Sequence, residues 1–145
     1  MKCDSPTVTD TPEKATSHGL RLPMGLLGFE QIKDYVLITN PGEEPFRWLE
    51  VRNNPALAFI VVDPFLVVPD YQPNLPPPDV EFLGITAPED AQLLNIVTLH
   101  GPNRATVNLK GPIVVNRHSG VGKQVVIANA SAYSVQHPLP LADAE

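Results

Sequence analysis

Asp63 and Asp70 bracket the apolar run Pro64-Phe-Leu-Val-Val-Pro69, and two carboxylates so placed are the first candidates for chemistry. Such a pair can serve as general acid and base in glycoside hydrolysis. Asp before Pro equally marks a turn, its carboxylate accepting from nearby backbone N–H groups, and that reading is favoured. His18, His100, His118 and His137 stand apart from one another at spacings foreign to zinc sites, so no metal is expected. Ser119-Gly-Val-Gly-Lys123 looks like the end of a phosphate loop, but Arg117 stands where the first glycine belongs. Gln124 replaces the hydroxyl residue that would hold magnesium, so a glycine-rich hairpin is the better reading and no cofactor is expected. No G-x-S-x-G occurs. Ser119, Ser131 and Ser134 lie near His118 and His137 in sequence, but nothing there specifies a triad.

What remains is apolar. Phe65, Leu66, Val67, Val68 and Tyr71 sit among prolines that prevent regular strand pairing. They read as core in part. The rest would form a contact patch at the edge, with Phe65 and Tyr71 as anchors and Asp63 and Asp70 as its rim.

Charge sharpens this picture. The chain carries 10 Lys and Arg against 16 Asp and Glu, a formal net charge of −6. Between Arg52 and Arg104 there is no basic residue, while Asp63, Asp70, Asp79, Glu81, Glu89 and Asp90 all fall there. Arg104, Lys110, Arg117 and Lys123 then follow with no acid before Asp143. An acidic middle repels phosphate, so direct nucleic-acid binding through it is not expected, whereas a basic protein would be drawn to it. The basic stretch lacks interleaved aromatics and reads as charges spread singly over strand faces.

The elements that must position these residues are short. Seventeen prolines in 145 residues is more than double the usual share of about 5%, which disfavours long helices. Strands are expected at Tyr35–Thr39, Phe46–Val51 and Leu57–Val62, the last buried on both faces and resuming at Phe65–Val68. Pro73–Asp79 reads as a stiff surface connection and Asp79–Leu83 as a helical turn, with another at Glu30–Asp34. Gln92–Leu99, Ala105–Leu109, Ile113–Val115 and Gln124–Ala128 complete roughly eight strands of a small antiparallel β-barrel with short helical turns. Residues 1–19 read as flexible, at most a frayed edge strand near Pro6–Asp10; residues 20–139 form one domain and residues 140–145 a tail. No apolar run approaches a membrane span, and no signal segment opens the chain. Cys3 has no partner for an internal disulfide, and Asn129-Ala-Ser131 matches a glycosylation acceptor only by chance, so a cytoplasmic location is expected.

Several segments occur together in a distinctive order: Leu22-Pro-Met-Gly-Leu-Leu-Gly-Phe-Glu30, Leu57-Ala-Phe-Ile-Val-Val-Asp-Pro-Phe-Leu-Val-Val-Pro-Asp-Tyr71, Leu94-Asn-Ile-Val-Thr98 and Ala105-Thr-Val-Asn-Leu-Lys-Gly-Pro-Ile-Val-Val-Asn116. Gly122-Lys-Gln-Val-Val126 and His137-Pro-Leu139 follow. From Leu20 to Leu139 the chain resembles the flagellar assembly factor FliW family. The resemblance implies a small cytoplasmic β-barrel without catalytic activity. It also implies two protein partners, flagellin and the translational regulator CsrA, with no direct contact to nucleic acid or membrane. In that family the free protein sequesters CsrA from flagellin mRNA, and flagellin releases it. Asp63, Phe65, Asp70, Tyr71, Asp79, Glu81, Glu89 and Asp90 are the expected partner-binding residues, the acidic ones facing the RNA path. The alternatives are a small hydrolase using Asp63 and Asp70, and a generic export chaperone without a regulator partner.

Overall fold

A computed structural model describes residues 16–139. Among them nine strands form one sheet: β1 Thr16–Arg21, β2 Asp34–Thr39, β3 Arg47–Val51, β4 Asn54–Val62, β5 Ala91–Leu99, β6 Ala105–Val107, β7 Ile113–Asn116, β8 Gly122–Gln124 and β9 His137–Leu139. Two short helices, α1 Pro64–Val67 and α2 Pro77–Leu83, interrupt the middle. All strand pairings are antiparallel and run β1-β2-β3-β4-β5-β6-β9, with β7 pairing the first half of β5 and β8 pairing β7.

The expected mostly antiparallel β architecture holds. Among the described residues, however, no ladder closes the ring. Between β1 and the β7–β8 hairpin there is one isolated bridge, Arg21 with Val121, and one hydrogen bond, Arg21 N to Gly120 O at 2.9 Å.

Successive side chains of a strand point to opposite faces, and here both faces of the central strands find a core. Val61, Leu94, Ile113 and Val115 join Leu22, Tyr35, Leu37 and Leu49 inside the curl of β1–β3. Val62, Leu93, Val97 and Val114 face the other way, towards Tyr71, Leu83, Val107, Leu109 and Ile127. Proline-bounded α1, α2 and the C-terminal segment therefore form a cover that keeps the outer core dry. The pattern explains why Leu57–Val62 reads as doubly buried, yet only Val61 and Val62 are; Leu57–Ile60 are half-buried.

Other expectations are corrected. Phe65–Val68 is no strand: Pro64 supplies a preset φ for a first helical position and Asp63 caps the turn, accepting from Phe65 N at 2.9 Å. Pro77 and Pro78 likewise open α2 rather than ending a connection, and Gly84, at φ 68°, closes it in the left-handed region. Glu30–Asp34 makes no helical turn; Asp34 already starts β2. Beyond Gln124 the chain leaves the ladder, although Val125 and Ile127 stay buried and Val126 exposed, so the alternation outlasts the pairing. Thr16–Gly19, within the segment read as flexible, pair with β2 from Thr16↔Thr39 onward. Their side chains are exposed, so only backbone bonding marks them as a strand, and backbone bonding leaves little trace in a sequence. The edge strand expected near Pro6–Asp10, and Cys3, lie outside the described residues.

Candidate functional site

The apolar run between Asp63 and Asp70 resolves into an exposed knob with a buried foot. On α1, Phe65 and Leu66 are 42% and 65% exposed. Tyr71 is only 3% exposed and lies beneath, its hydroxyl donating to Leu109 O at 2.6 Å. Its ring stands edge-on to Tyr133 at 4.9 Å and tilted against Phe65 at 5.9 Å. Burial pushes the Tyr71 phenol up to about 12. Tyr71, expected as an exposed anchor, therefore supports Phe65 from below. Asp63 is engaged in capping α1, as its place before Pro64 suggests, and Asp70 is exposed in the following turn.

The acidic middle is not a bare negative face. Asp79, in the first turn of α2, pairs with Lys123 on β8. Asp90 accepts from His118 Nε2 at 2.8 Å and from Thr86 Oγ1 at 3.3 Å; the His118 bond is the main cause holding its carboxyl below the usual aspartate range. Arg117 Nε donates to the backbone carbonyl of Glu89 at 3.0 Å. The two sequence blocks of opposite sign thus meet in the fold, where Lys123 and His118 are partners for Asp79 and Asp90 while Arg117 is held by a backbone carbonyl. Glu81, Glu89 and Asp70 remain as exposed carboxylates.

Buried Asn116 holds this junction. Its Nδ2 donates to Leu83 O at 2.8 Å while its Oδ1 accepts from His118 N at 2.8 Å, joining the end of α2 to the β7–β8 turn. The glycine-rich hairpin read at Ser119–Lys123 is that turn and β8. Two of the three serines weighed as nucleophiles act as turn acceptors, Ser119 Oγ for Val121 N at 3.2 Å and Ser134 Oγ for Gln136 N at 2.9 Å. His100 Nε2 is bonded to Thr106 Oγ1 at 2.8 Å. Among the described residues no three His, Cys, Asp or Glu side chains gather as a metal-binding group.

Two surface features escape a reading by periodicity. One is a groove of about 350 Å³ lined by Leu27, Phe29, Phe59, Ile96 and Val135 with several amide side chains. Gly25, at φ 66°, allows the tight loop that carries its Leu27–Phe29 wall; a Cβ there would lie 2.6 Å from Glu30 backbone. The other is a cleft of about 500 Å³ at the unclosed seam, where Arg47 meets the β7–β8 turn. Both bring together residues far apart in sequence, so only the topology reveals them. Among the described residues no helix is long and apolar enough to cross a membrane.

The architecture and the ordered segments have close counterparts. The chain is 39% identical over 109 residues to the flagellar assembly factor FliW of Leptospira biflexa, spanning 74% of this chain and 71% of that protein. It is 41% identical to that of Syntrophus aciditrophicus, covering 73% and 68%, and 35% identical to that of Clostridioides difficile, covering 83% and 92%. A crystal structure of the flagellar assembly factor FliW superposes with a TM-score of 0.75 at 35% identity, over 86% of this chain and 87% of that one. The FliW protein family model matches residues 5–139, from ahead of β1 through β9, and with that span, those identities and the shared fold the chain belongs to the FliW family.

Proposed function

We propose that this chain is a cytoplasmic, non-enzymatic flagellar assembly factor that works by protein recognition, binding flagellin and, in exchange, the translational regulator CsrA, so that flagellin mRNA is freed from repression. The reading rests on family membership across residues 5–139. The observation that carries its mode of action is the exposed Phe65–Leu66 knob on a proline-fixed turn over Tyr71 and Tyr133. Rigid apolar anchors lose little entropy on binding and so make effective contact points. Around it, Asp63 and Asp70 form a rim, and Glu81 and Glu89 supply exposed negative charge. With Asp79 and Asp90 engaged internally, Glu81 and Glu89 are the carboxylates that would repel RNA beside bound CsrA.

The test is co-purification of the chain with flagellin and with CsrA, separately and in competition. Each partner should bind alone, and added flagellin should displace CsrA. Retention of flagellin with no capture of CsrA would leave only an export chaperone. Conversion of Glu81 and Glu89 to Gln should preserve CsrA binding while weakening displacement of flagellin mRNA; unchanged displacement would overturn the charge role.

A further inference from the structure

We infer that the unclosed seam between β1 and the β7–β8 turn is a receptor for an extended acidic segment of a partner protein. Along β1, His18 and Leu20 share one face, and along β3, Arg47 and Leu49 do. Leu20 and Leu49 are buried in the inner core, so His18 and Arg47 continue that face to its open mouth. Arg117 and His118 close the opposite side from the turn after β7. The cleft of about 500 Å³ thus has two arginines and two histidines on its walls, and no carboxylate lines it, in a chain of net charge −6. Among the described residues neither Arg47 nor Arg117 pairs with a carboxylate; Asp90 is engaged by His118 and Thr86, and Glu89 offers Arg117 its backbone carbonyl.

The shape selects a strand. The seam is a wedge, pinned at Arg21–Val121 and at Gly120, where an added Cβ would lie 3.4 Å from Gly19 O, and opening towards Thr16. Among the described residues β1 pairs only with β2 within the sheet. Its outer backbone edge therefore offers hydrogen bonds to an incoming extended chain, the usual route of strand addition. Leu20, Leu37 and Val115 lie at the base of the cleft, and Arg47 and Arg117 on its walls would meet carboxylates of the incoming segment. Charge separates a short acidic peptide from a nucleic acid: the cationic walls are local, and Glu89 and Asp90 flank them, so a long polyanion meets repulsion beyond the cleft. The site does not depend on the identity of the partners proposed above.

The test is titration of the full chain, followed by amide chemical shifts, with the peptide acetyl-Glu-Val-Glu-Val-Asp-amide. Its Gln/Asn analogue, inorganic phosphate and a ten-residue oligothymidylate are run in parallel. Shifts at Gly19, Arg47 and Gly120 are expected with the acidic peptide alone, weakened by salt and about tenfold by R117Q. R47Q should act likewise, with folding checked by circular dichroism, and R117Q on the exposed turn keeps the test valid if R47Q does not fold. No binding to the full chain, equal binding of the neutral analogue, phosphate or oligothymidylate, or indifference to R117Q would overturn the assignment. Failure here leaves the flagellin and CsrA competition test untouched.

Discussion

Lys123 on β8 and Asp79 in the first turn of α2 form an ion pair whose side chains are only 28% and 15% exposed. The pair joins the basic and acidic blocks of the chain, and the ammonium also sits 5.7 Å from the centre of the Phe82 ring. Exposed pairs contribute about 0–1 kcal/mol, whereas removing one partner of a fully buried pair costs about 3–5 kcal/mol. A pair at this depth lies between. Lys123→Met should therefore destabilise by about 1–3 kcal/mol in urea denaturation, with little change in the slope. Adding Asp79→Asn should recover part of that loss, because the stranded carboxylate goes with it. Additive losses in the double variant would show that the two groups do not interact.

Tyr71 gives a second outcome, at alkaline pH. Its phenol is held protonated up to about 12 in the folded chain, against an ordinary value of 10.0. Between those values the unfolded chain has lost the proton and the folded chain retains it. Stability from this group is thus complete below pH 10 and declines as pH rises towards 12. Tyr71→Phe should remove that component of the alkaline slope. At neutral pH it should cost about 1–3 kcal/mol, since the carbonyl of Leu109 loses its donor. Parallel alkaline profiles for the two proteins would contradict the assignment.

The acid side turns on Asp90. Its carboxyl is lowered chiefly by the His118 hydrogen bond, so its contribution is present above the unfolded aspartate value, about 3.9, and is lost as pH falls through the lower folded value. Asp90→Asn should be less stable than the parent at pH 6, and the gap should narrow as the solution is acidified below about pH 4. A gap that stays constant to pH 2 would mean that the His118 contact carries no net stabilisation.

How much of this was legible in the sequence follows from what each feature depends on. The alternation in Phe46–Val51 and the apolar density of Leu57–Val62 located strands because burial writes a period into the chain. The turn at Asp63-Pro64 was legible for the same local reason, although α1 itself was not: Phe65–Val68 has strand-like residues, and Pro64 with the Asp63 cap overrides their preference. The charge blocks were visible, but the ion pair between them was not, since Asp79 and Lys123 are brought together only when α2 packs on β8. Tyr71 was misplaced as exposed because its hydroxyl partner, Leu109 O, lies 38 residues away. The seam cleft has Arg47 and Arg117, 70 residues apart in sequence, on its walls, a juxtaposition that no local pattern encodes.

The recognition surface gives the last outcome. Phe65 packs on Tyr71 and so has both a structural and an exposed face, whereas Leu66 is 65% exposed. Surface substitutions of that kind usually change stability by less than about 0.5 kcal/mol. Leu66→Asp should therefore leave the unfolding midpoint nearly unchanged while weakening partner binding at least about tenfold, as expected when a charge replaces an interface anchor. Phe65→Ala should weaken binding too, but with some loss of stability, because Tyr71 loses its neighbour. Isothermal titration with purified flagellin and CsrA separates the two effects and shows which partner uses the knob. If Leu66→Asp binds both partners as the parent does, α1 is only a lid over the outer core, and recognition must lie on another face of the sheet.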